Sequence, residues 1–68
     1  MATKYDVVKA TFLDAIDDMP ADYGLPLERA SLVASRQVNV FVFNQIVREL
    51  VAVGLIEVRH NAAFRARS

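Results

Sequence analysis

The sequence predicts a mainly α domain of three helices closed by a C-terminal two-stranded β-hairpin. Apolar residues recur at helical spacing in three stretches, separated by Pro20, Pro26 and a turn at Arg36–Val38. Beyond Gly54 the spacing changes to the alternation of a strand. The chain has 68 residues, room for one domain over 1–68, and 54% of them are hydrophobic, too many for a disordered chain.

The first helix is expected over Lys4–Asp18. Thr3 and Asp6 have capping-box spacing, with Asp replacing the usual Glu or Gln, and Tyr5, Val8, Phe12, Ala15, Ile16 and Met19 follow at helical intervals. Pro20 ends it, because proline lacks an N–H and turns its predecessor away from helical angles. Pro20–Leu25 reads as a loop. Pro26 suits the first position of a second helix over Leu27–Ser35, where the missing N–H needs no partner, and Glu28 suits the positive end of the helix dipole. Ala30 and Ala34 share one face of it and admit another helix closely.

Asn39 is a good N-cap for a third helix, in which Phe43, Ile46, Val47, Leu50 and Val51 repeat at i, i+3, i+4, i+7 and i+8. It is expected to end at Val53, with Gly54 as the left-handed residue of a Schellman stop and Leu55 touching Leu50. Val38–Phe43 also alternates β-branched and aromatic residues with period two, so a strand is the open alternative there. Ile56 and Val58 alternate with Glu57 and Arg59, His60–Ala62 can turn, and Ala63–Arg67 can return as the second strand.

With no cysteine, disulfides, thiolate zinc sites and thiol nucleophiles are all excluded. Lys4, Asp6, Lys9 and Asp14 interrupt the apolar core that a signal peptide requires. The uncharged stretch Gln37–Val47 falls far short of the roughly 20 residues of a membrane-spanning helix. A soluble, cytoplasmic protein with no membrane association is therefore expected. The net charge of zero conceals a polarity: residues 1–28 hold two lysines against six acids, and residues 29–68 hold six arginines against two acids. Arginine suits phosphate and carboxylate recognition, so segregated surface charge, nucleic acid and an acidic protein partner are the readings this leaves open.

The run Val47-Arg48-Glu49-Leu50-Val51-Ala52-Val53-Gly54-Leu55-Ile56-Glu57-Val58-Arg59 resembles the end of a winged-helix recognition helix followed by the first wing strand, and the resemblance spans about Leu27–Arg67. It implies a helix-turn-helix whose third helix enters a DNA major groove. The exposed face would comprise Phe41, Asn44, Gln45, Arg48 and Ala52. Asn44 and Gln45 would read adenine edges, Arg48 guanine or phosphate, and Arg36 phosphate from the turn, while Arg59, Arg65 and Arg67 would project from the wing. The implied function is that of a small non-catalytic DNA-binding regulator acting as a dimer on duplex DNA. Two features depart from the family pattern. The first turn of the recognition helix presents Val40 and Phe41 in place of small polar and basic residues, and the acidic first helix would repel DNA unless it faces away.

Val40, Phe41 and Phe64 are the apolar residues hardest to bury within one copy. Either tertiary packing hides them, or they form an interface with a second copy or a protein partner. The alternative function is accordingly a protein-interaction module, such as a phage-type inhibitor or regulatory adaptor, anchored by apolar and arginine side chains. Asp14, Asp17 and Asp18 crowd the last turn of the first helix against its dipole, and are expected either to be solvated or to meet Arg59, Arg65 or Arg67. His60, the only histidine, is expected in a turn. With no second histidine, no cysteine and no glycine-rich phosphate loop, neither enzymatic activity nor a cofactor or metal is expected.

Overall fold

Capping chemistry sets where the first helix begins. In the computed structural model, which describes residues 3–20 and 22–66, α1 (Lys4–Asp17) starts at Thr3, whose hydroxyl accepts from the Asp6 N–H while the Asp6 carboxylate accepts from the Thr3 N–H. Val8, Phe12 and Ile16, four residues apart, form its buried stripe.

The chain then makes a short strand, β1 (Leu25–Pro26), before α2 (Leu27–Ala34). This strand is a correction to the sequence expectation, which placed Leu25 in a loop and Pro26 at the first helical position. Pro26 is the N-cap of α2, and its lack of an N–H is harmless because β1 lies at the edge of the sheet. Ala30 and Ala34 are the buried residues of α2.

Asn39 caps α3 (Val40–Ala52), its side-chain oxygen accepting from the Val42 N–H at 2.9 Å. Val38–Phe43 is therefore not a strand. The cap competes successfully with the period-two pattern, and the helix buries Phe43, Ile46 and Leu50 together. The stop is the expected one. Gly54 has φ of 79°, the Leu55 N–H donates to the Leu50 carbonyl at 3.0 Å, and the Gly54 N–H to that of Val51 at 3.1 Å.

The hairpin consists of β2 (Ile56–Arg59) and β3 (Ala62–Arg65), joined by His60 and Asn61, both with positive φ. That pair of left-handed residues is the signature of a type I′ turn, whose twist suits a tight hairpin. The turn is thus two residues long and the return strand begins at Ala62, one residue earlier than expected. The sheet has three strands where two were expected, all antiparallel in the order β1-β3-β2, with Leu25 opposite Ala63 and Val58 opposite Ala63 on the other side.

Helix, short strand, two helices and hairpin make a mainly α architecture with a small three-stranded antiparallel sheet. Its core joins Val8, Phe12 and Ile16 to Phe43, Ile46 and Leu50, with Leu25, Ile56 and Ala63 from the sheet. Phe12 and Phe43 meet edge to face, ring centroids 5.4 Å apart, a favoured aromatic geometry. Among the described residues no polar or charged side chain is buried, so every ionisable group belongs to the surface. No helix among them is long and apolar enough to cross a membrane.

Candidate functional site

Burial of Phe43, Ile46 and Leu50 decides which way α3 faces. At 100° per residue the opposite flank carries Phe41, Asn44, Gln45, Arg48 and Ala52, and all five are exposed. Phe41 is 80% exposed and its neighbour Val40 is 50% exposed. Asn44, Gln45 and Arg48 follow Phe41 at i+3, i+4 and i+7, so one strip of the helix offers an aromatic ring, two amides and a guanidinium.

The charge on this strip is uncompensated. Ion pairs among the described residues join Lys9 to Glu49, Arg59 to Glu57 and Arg65 to Asp17, leaving Lys4 on α1, Arg29 on α2, Arg36 in the turn and Arg48 on this strip without an acidic partner among them. Glu49 is the only acid on α3, and it points towards α1. Its carboxylate accepts from the Tyr5 hydroxyl at 2.5 Å and lies 3.6 Å from Lys9 Nζ. The neighbouring negative charge is thereby drawn to another flank and balanced there.

The tail arginines are arranged differently. Strand alternation puts Glu57, Arg59, Ala62 and Phe64 on one face of the hairpin and Ile56, Val58, Ala63 and Arg65 on the other. Arg59 lies over the Phe64 ring, 4.4 Å from its centroid, with its guanidinium 3.2 Å from Glu57. Arg65 reaches back to Asp17 at 3.3 Å. The acid cluster at the end of α1 thus meets a tail arginine, one of the two outcomes expected of it, and Asp17 is the member that does so. A cleft of about 700 Å³ between this end of α1 and the wing is lined by Asp17, Asp22 and Glu57 as well as by Arg59 and Arg65, a balance of charge that does not favour phosphate. Arg67 lies outside the described residues.

Of the three apolar residues that are hard to bury, Phe64 is the one that packing partly hides: it is half-buried, seated against Gly24 and roofed by Arg59. His60 stands in the hairpin turn as expected. Sequence reasoning passed over Arg29, Leu32 and Val33 of α2, all exposed. The signal was available, since two small buried alanines at 30 and 34 turn the larger neighbours outward. Arg29 and Val33 border a small apolar groove floored by Val8, Phe12 and Phe43.

Comparison of the chain with protein-family models, with curated proteins and with solved structures finds no match. A functional reading therefore depends on the chemistry of the surface.

Proposed function

We propose that this chain is a small, non-catalytic DNA-binding regulator of winged-helix type that acts in the cytoplasm by laying the outer face of α3 in the major groove of duplex DNA. The observation behind this reading is the unpaired Arg48 on the same strip as Asn44 and Gln45, with unpaired Arg36 in the turn that leads into the helix. The amides have the paired donor and acceptor that adenine matches, and arginine matches guanine or phosphate. An exposed Arg59–Glu57 pair is worth little and exchanges readily for a phosphate contact. Arg65, on the hairpin face that carries the core residues Ile56 and Ala63, is left out of the contact set.

Three phosphates neutralised by Arg36, Arg48 and Arg59 correspond to a log–log salt slope of about −2.7 per copy. A titration of duplex DNA over a range of salt concentrations, on material of known mass in solution, tests the reading. Absence of binding at low salt, or binding that salt does not weaken, overturns it. Dimerisation belongs to the same proposal. We assign it to Val53, Leu55 and Val58, exposed where α3 gives way to β2, whose outer edge pairs with no strand among the described residues.

The exposure of Val40 and Phe41 favours a second reading, a module that docks on an acidic protein with Phe41 as its anchor. Loss of partner capture in Phe41→Ala with salt-dependent DNA binding intact would separate the two.

A further inference from the structure

We infer that Phe41 is a base-reading residue that packs on the 5-methyl group of thymine, so that the α3 face selects A·T pairs. The inference rests on the proposed docking of α3 on duplex DNA and deepens it by naming what the exposed aromatic side chain recognises. Within the protein Phe41 has no packing role: it is 80% exposed, while Phe43, two residues on, is buried in the core against Phe12. Covering such a ring on binding is favourable.

Charge argues against a second copy as the occupant. A second copy paired through this face would gather the unpaired Arg36 and Arg48 of both chains in one interface, and like charges brought together there are repulsive. A polyanion meets no such penalty. Of the groups in a major groove, the thymine methyl is the apolar one that a Phe side chain can cover. The neighbours agree with it. Asn44 and Gln45, one helical turn along the same strip, have the donor–acceptor pair for adenine N6 and N7, the other half of the same base pair. Phe41 to Arg48 spans about 10 Å along the helix axis, the length of about three base pairs. The aromatic residue that departs from the winged-helix pattern thus complements the amides beside it.

The experiment compares binding of the full chain to a short A·T-rich duplex and to the same duplex with every thymine replaced by deoxyuridine. This removes the methyl groups and leaves pairing edges and backbone charge in place. Covering one methyl corresponds to roughly fourfold in affinity, so wild-type protein should bind the deoxyuridine duplex roughly fourfold or more weakly, with an unchanged salt slope. Phe41→Ala, at a position whose side chain leaves the fold untouched, should bind both duplexes equally. Equal wild-type affinity for the two duplexes with salt-dependent binding preserved overturns thymine reading and leaves the DNA-binding reading standing. A deoxyuridine penalty that persists in Phe41→Ala also overturns it, because the methyl is then sensed elsewhere. Failure to bind either duplex at low salt sinks both readings together.

Discussion

The ring of Phe64 lies so close over Gly24 that a β-carbon at residue 24 would stand 2.6 Å from Phe64 Cζ and 2.8 Å from the Ala62 β-carbon. The loop between α1 and β1 is thereby fitted to the outer face of the wing. Gly24→Ala must push the ring outward or separate β1 from β3, and overpacking of this kind costs about 1–3 kcal/mol. Urea unfolding followed by circular dichroism should register that loss. Phe64→Leu in the same chain should restore part of it, since the two substitutions touch one space.

Gly54 is required for a different reason. Nothing lies within 4 Å of the position a β-carbon would take, but φ is 79°, where an L side chain meets its own backbone. Gly54→Ala should cost about 1 kcal/mol with no relief from any neighbouring substitution, and Gly54→Asn should cost less, since asparagine tolerates left-handed geometry. Chemical denaturation of the two variants side by side checks the ranking.

These two glycines also mark what was legible in the sequence. The three helices, the Asn39 cap, the Gly54 stop and the outward strip of α3 are local features, and spacing and capping chemistry reveal them. β1 was hidden because two residues have no period and because Pro20 and Gly24 give the segment the composition of a loop. It exists through pairing with β3, some 37 residues further along the chain. The seat of Phe64 depends on the same long-range register, which sequence alone left open. Asp17 and Arg65 were expected to meet only as classes of residue. Which aspartate and which arginine do so follows from the face of β3 that Arg65 occupies.

The hydrogen bond from the Tyr5 hydroxyl to Glu49 raises the Tyr5 pKa above its ordinary value of about 10, chiefly because the bond exists only in the protonated form, with burial and the Glu49 charge acting in the same direction. This link between α1 and α3 contributes fully below the unfolded-state pKa. Above it the unfolded chain releases the proton first, so stability falls as pH rises towards the raised folded value. Melting temperatures from about pH 9 to about pH 11 should drop more steeply for the wild type than for Tyr5→Phe. Parallel profiles would show that the contact does not form in solution.

Arg48 and Arg65 offer the sharpest contrast for the proposed DNA contact, because they are chemically identical and differ in what already holds them. Arg48 forms no ion pair among the described residues, whereas Arg65 is 3.3 Å from Asp17. Arg48→Ala should flatten the salt slope of duplex binding by about 0.9, the share of one phosphate. Arg65→Ala should leave the slope unchanged and alter stability by no more than about 1 kcal/mol, since an exposed pair is screened by solvent and salt. Asp17→Asn supplies the control: if releasing Arg65 steepens the slope, the hairpin arginine was held back from the backbone by its own chain, and the contact set extends around the wing. If Arg48→Ala and Arg65→Ala flatten the slope alike, contact is spread over the cationic surface and α3 has no special place in it.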